Sequence, residues 1–104
     1  MLIYNVTAHV EHSIEQTWLE WMEQEHIPEM LATKKFIKTK IFKIITDQDT
    51  EGVSYSAQYF CENREQYKGY LKENAPILRQ KVQDKFGEQI LFFRTELQLI
   101  HECS

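Results

Sequence analysis

Glycine and proline are scarce in this chain, with three and two among 104 residues. Beside an apolar content of 42%, that scarcity excludes collagen, a low-complexity array and a disordered tail. Positive charge is also short. Twelve Lys and Arg against sixteen Asp and Glu leave a net charge of −4, so no basic field exists to hold a phosphate backbone and no nucleic acid is expected as partner. No apolar run approaches the roughly 18 residues of a membrane helix, so no membrane partner is expected either. The first ten residues alternate in polarity without a cationic cluster, unlike a signal peptide. The two cysteines, Cys61 and Cys103, form no CxxC pair and read as reduced thiols of a cytoplasmic protein. Cys61 suits a small core filler at a strand end, and Cys103 a fraying terminus. No GxxxxGK[ST] or GxGxxG occurs, and no cofactor is expected. One soluble, mildly acidic α+β domain spanning 1–104 is what remains.

Leu2, Tyr4, Val6, Ala8 and Val10 alternate with Ile3, Asn5, Thr7 and His9, the period of a strand. Ser13 offers an N-cap, and Ile14, Trp18, Trp21 and Met22 make the apolar stripe of a helix from about Ile14 to Glu25. Pro28 disfavours a helical Ile27, which ends that helix and leaves His26 at its C-terminus, ahead of a short turn through Met30 and Leu31. Phe36 to Thr46 reads as a second strand, Asp47 to Gly52 as a polar turn, and Val53 to Cys61 as a third strand. Asn63 can cap a second helix whose inward positions are Tyr67, Tyr70, Leu71, Leu78, Val82 and Phe86. Pro76 should kink or divide it, and Gly87 should stop it. Leu91 to Leu99 reads as the fourth strand.

The order β-α-β-β-α-β is the split βαβ pattern of ferredoxin-like domains, with both helices on one face of an antiparallel sheet ordered 4-1-3-2. The helices are expected against Tyr4, Val6, Tyr55, Ala57, Phe93 and Leu97. The other face then presents Ile3, Asn5, Thr7, Ser54, Ser56, Gln58, Phe60, Phe92, Arg94 and Glu96. That mixture is too polar for a dry core yet too apolar for plain exposure. A second copy is expected to cover it, closing a dimeric barrel that buries apolar rims and leaves Asn5, Gln58 and Arg94 lining a cavity.

The segments Tyr4-Asn5-Val6-Thr7, Trp18-Leu19-Glu20-Trp21-Met22, Glu25-His26-Ile27-Pro28 and Phe93-Arg94-Thr95-Glu96 resemble those of a bacterial family of this length, known only as a domain of unknown function. That family is similar in turn to the dimeric α+β barrel superfamily, which includes antibiotic-biosynthesis monooxygenases, haem-degrading enzymes, muconolactone isomerases and EthD-like proteins. Some EthD-like members carry a His-x-Pro after the first helix, matched here by His26 and Pro28. The resemblance implies the fold and not the reaction, since one barrel hosts many chemistries.

At a helix end near Glu25 and Glu29, His26 would favour its protonated form and suit a general acid; the alternative is a capping residue. Arg94 and Glu96, two apart on one strand face, can grip a ligand carboxylate or enolate, or else form an ion pair that fixes dimer register. Asn5, Thr7, Ser56 and Gln58 can orient a ligand or bond to one another across strands. His9 and His12 straddle a strand end with no completing ligand, so no metal is expected, and His101 lies near the C-terminus. Trp18 and Trp21 are placed in the core by their spacing, as are Tyr55 and Tyr59, with hydroxyls bonded to backbone. The lysines of Lys34 to Lys40 suit an edge strand guarded against aggregation.

The leading functional expectation is a small-molecule-binding homodimer with a semi-polar cavity. A cofactor-independent isomerase or monooxygenase using His26 and Arg94 is the alternative, and a purely structural homodimer the third. The enzyme requires His26 to open into the same cavity as Arg94; the binding module does not.

Overall fold

In the computed structural model, residues 1–46 and 51–104 are described. The expected turn from Asp47 lies mostly outside them. Strands β1 (Leu2–Glu11), β2 (Lys38–Lys43), β3 (Gly52–Cys61) and β4 (Ile90–Gln98) form one antiparallel sheet in the order β2-β3-β1-β4, the expected 4-1-3-2 read from the other edge. β2 is an edge strand, as its lysines imply. Gly52 is held at a close approach, where a Cβ would come within 2.6 Å of the Val10 carbonyl oxygen.

The first helical run departs from expectation. After a 3-10 turn at His12–Ile14, helix α1 (Glu15–Trp21) passes into a π-helical turn at Met22–His26 and then into α2 (Ile27–Ala32). The chain therefore stays helical through His26. Ser13 lies inside the 3-10 turn and caps nothing by its side chain. Pro28 starts a new helix instead of ending one, because proline is tolerated in a first turn where its missing N–H has no partner to lose. The π turn makes that fresh start possible: the Ile27 N–H bonds the Met22 carbonyl, five residues back.

The second helix is divided as Pro76 dictates, into α3 (Arg64–Glu73) and α4 (Ala75–Phe86). The Asn63 side chain accepts from the Gln66 N–H at 3.0 Å, closing the N-cap. Gly87, with φ of 58°, stops α4. Tyr67, Tyr70, Leu78 and Phe86 are buried and Val82 packs against them, but Leu71 turns outward.

Between helices and sheet lies an aromatic core centred on Tyr4. Its ring centroid is 5.3 Å from that of Tyr67, 5.6 Å from Tyr70 and 5.8 Å from Tyr59. Cys61 is fully buried and donates its Sγ hydrogen to the Lys35 carbonyl, and burial pushes its thiol up to about 11. It is the core filler expected.

Strand β4 is inverted relative to expectation. Tyr4 lies opposite Glu96, Val6 opposite Arg94 and Ala8 opposite Phe92. Opposed residues share a face, so Ile90, Phe92, Arg94 and Glu96 stand on the helix side. Leu91, Phe93, Thr95 and Leu97 stand on the open side, with Ile3, Asn5, Thr7, Ser56, Gln58 and Phe60. A shift of one residue reverses a whole strand. Buried Ile90 decides the parity here, and the helices leave the β4 edge uncovered enough for Arg94 and Glu96 to keep their charges in water.

Helix packing gives a direct check. Leu78→Ala, which removes a buried side chain, is expected to cost about 2–5 kcal/mol. Leu71→Ala, at a residue 39% exposed, should cost less than about 1 kcal/mol. Equal losses in urea unfolding would contradict the packing of α3 and α4.

Candidate functional site

The β4 register brings Arg94 beneath the helices, and there it meets His26. Both line a cavity of about 40 Å³ between the helical layer and the sheet. A water needs roughly 10–15 Å³ by this measure, so the space holds a few waters or a small ligand.

His26 owes its place to the π turn. Its ring stacks on Trp21, with centroids 4.9 Å apart and planes at 20°, and stands edge-on to Tyr59 at 6.4 Å. Burial lowers its pKa to about 4, against the pull of Glu29 in the other direction. It is neither a helix-end cap nor a protonated acid: at neutral pH it is a neutral imidazole, able to accept a proton. A helix terminus would have favoured the charged form, but the helix does not terminate there.

Arg94 lies at the exposed edge of the cavity, with its guanidinium 5.4 Å from the Phe92 ring centroid. Its Nε donates to the Tyr4 hydroxyl at 3.1 Å. Glu96 is not its partner. Within the protomer that carboxylate accepts from Arg64 Nη1 at 2.9 Å, and Glu96 does not line this cavity.

Sequence reasoning missed Arg79. Its Nη2 also donates to the Tyr4 hydroxyl, at 3.2 Å, and its Nε is buried without a partner among the described residues. The Trp18 Nε1 hydrogen is likewise buried and unpaired there. Both residues line the cavity. A signal for Arg79 existed: it lies four residues after Ala75 and three before Val82, on the inward edge of α4's apolar stripe.

The remaining candidates stay on the open face. Asn5 Nδ2 donates to Thr7 Oγ1 at 3.3 Å and to Thr95 Oγ1 at 3.2 Å, and Ser56 Oγ donates to Asn5 Oδ1 at 2.6 Å. Gln58 lies opposite Asn5 in register. Asn5 thus bonds across strands to Thr95 and Ser56, and this group is separated from Arg94 by the thickness of the sheet. His9 shares a hydrogen bond with Ser54 Oγ at 2.9 Å. The Tyr55 hydroxyl donates to the Glu15 carboxylate and not to backbone. Trp18 and Trp21 are core residues and cavity walls at once. Among the described residues no group of three His, Cys, Asp or Glu is placed to hold a metal, and no helix is long and apolar enough to cross a membrane.

The family described as Domain of unknown function (DUF4286) matches residues 1–100. Among curated proteins none matches. Solved structures share the fold at low identity. A dimeric ferredoxin-like protein from an uncultured marine organism is 13% identical with a TM-score of 0.69, covering 98% of this chain and 97% of its own. Another protein of the same description and source is 14% identical with a TM-score of 0.69, over 100% and 99%. An ethyl tert-butyl ether D (EthD) family protein from Bacillus halodurans C-125 is 10% identical with a TM-score of 0.65, over 94% and 100%. The fold is therefore ferredoxin-like.

The buried imidazole makes stability depend on pH. His26 has a folded pKa of about 4 against an ordinary 6.5, so between those values the unfolded chain binds more protons. Its contribution is complete above pH 6.5 and is lost as pH falls towards 4, a total of about 3 kcal/mol. His26→Phe keeps a ring on Trp21 and cannot titrate. The urea midpoint of the wild type is expected to fall relative to this variant across that window; a constant difference would contradict a buried neutral His26.

Proposed function

Since the chain belongs to the family described as Domain of unknown function (DUF4286), we propose from its own residues that it is a small-molecule-binding homodimer whose ligand sits between helices and sheet. One observation carries this: His26 from the first helical run and Arg94 from the last strand line the same cavity. The pocket first expected under a partner subunit gives way to one inside each protomer, because Arg94 lies on the helix side. A purely structural role leaves two buried donors at that cavity unexplained.

The same juxtaposition favours a second reading, a cofactor-independent isomerase. Neutral His26 would take a proton from carbon beside a carbonyl, and Arg94 would hold the oxyanion that develops. Monooxygenation gains no such support.

The open face supports the dimer. Phe93 is 63% exposed, Leu91 60%, Phe42 46% and Leu97 41%. Phe93 and Phe42 end a row whose middle is Thr7 and Ser56, and Leu97 begins a row continued by Ile3 and Phe60. Apolar groups thus flank a hydrogen-bonded polar centre. Such exposed apolar groups on one face suit an interface, and the two marine proteins of this fold are described as dimeric. Free Cys61 and Cys103 support a cytoplasmic location.

Two measurements follow. In a thermal-shift screen of small metabolites, hits on the wild type should lose most of their effect on Arg94→Ala, since ligand at a hundred times its Kd adds about 2.7 kcal/mol. Equal shifts on both proteins would remove Arg94 as an anchor. By light scattering, the wild type should have twice the protomer mass and Phe93→Asp a single protomer mass; a monomeric wild type would overturn the dimer.

A further inference from the structure

The cavity carries an electrostatic imbalance that narrows its ligand. Arg79 and Arg94 both donate to one oxygen, the Tyr4 hydroxyl, at 3.2 and 3.1 Å. Two guanidinium groups are thereby held close together. Among the described residues no carboxylate pairs with either, and none lines the cavity. Burial holds the Tyr59 and Tyr70 hydroxyls above their usual range, so neither supplies a negative charge. Like charges held close together repel, and half-buried Arg79, unlike Arg94 at the exposed edge, has less water to offset it.

Two residues that line this cavity each carry an unpaired donor. Arg79 Nε and Trp18 Nε1 are buried among the described residues with no acceptor, although buried donors in native proteins nearly always have one. Trp18 is 1% exposed, so bulk water does not reach it. A ligand that repairs both defects needs a negative charge spread over a planar pair of oxygens, the geometry a guanidinium fork matches. It needs a further acceptor oxygen for the indole. The cavity of about 40 Å³ sets the size at a few heavy atoms.

Resting on the small-molecule reading above, we infer that the ligand is a small 2-oxo carboxylate: the carboxylate binds Arg79 and Arg94, and the remaining oxygen accepts from Trp18 Nε1. Arg79 is then the residue that selects charge, and Trp18 the one that reads the second oxygen. His26, which lines the same cavity, then faces a substrate whose neighbouring C–H is acidified by the carbonyl.

The test is two-dimensional ¹⁵N NMR of the indole N–H signals, with Trp21→Phe assigning Trp18. Pyruvate is the probe, pyruvamide its neutral counterpart, and sodium chloride the control for ionic strength. Pyruvate is expected to move the Trp18 signal saturably, pyruvamide to bind at least tenfold more weakly, and Arg79→Gln to weaken pyruvate at least tenfold. Pyruvamide binding as well as pyruvate, or pyruvate binding unchanged by Arg79→Gln, would overturn the anionic class. Failure of pyruvate, while compounds from the thermal screen still move Trp18, would overturn the 2-oxo carboxylate and leave the cavity reading intact. A Trp18 signal unmoved by pyruvate and by every screen hit would overturn both. The comparison of pyruvate with pyruvamide is made on the wild type, so it stands even where Arg79→Gln misfolds.

Discussion

One hydroxyl group organises the interior of this protein. Tyr4 is 2% exposed and ringed by other aromatic side chains, yet its phenol oxygen cannot be left dry without cost. Satisfying it from the sheet requires a long polar side chain on the same face of β4, which Arg94 supplies. From the helical layer it requires a donor on the inward edge of α4, and Arg79 supplies that. The oxygen is thus paired from both layers, and the arginines cannot retreat fully to water. The two arginines enter an otherwise mostly apolar cavity because a core tyrosine draws them there.

The second constraint is backbone geometry in the first helical run. Pro28 lacks an N–H, and the run accommodates it with a π turn that hands the chain from α1 to α2. The extra residue in that turn keeps His26 in the helical wall and presses its ring onto Trp21. A helix that simply stopped at Glu25 would have left the imidazole at a terminus, hydrated and ready to charge. Burial keeps it neutral instead, so the site combines a base with cations and, among the described residues, no carboxylate in its lining.

Much of the fold was legible because single residues act locally. Alternation marked β1 and β3, Asn63 announced a cap, Pro76 a break and Gly87 a stop, and each does so through its own backbone preferences. The parity of β4 was not legible. Apolar residues occupy both parities there, Leu91, Phe93 and Leu97 against Ile90 and Phe92, and the choice falls to the burial of Ile90 opposite Val10, a tertiary contact. His26 was legible as a residue of interest but not in its charge state, which depends on a helix continuing past a proline. Arg79 went unread because an arginine on an amphipathic helix looks like solvent-facing charge until its partner, Tyr4, is known to be buried. On the open face, by contrast, the grouping of Asn5, Thr7, Ser56 and Gln58 followed from alternation alone.

Everything said of the site depends on which side of the sheet Arg94 occupies. Cross-strand nuclear Overhauser contacts between β1 and β4 decide that without a ligand. The account predicts Tyr4 opposite Glu96, Val6 opposite Arg94 and Ala8 opposite Phe92. Val6 found opposite Phe93 or Thr95 would turn Arg94 to the open face, separate it from His26 and contradict the account.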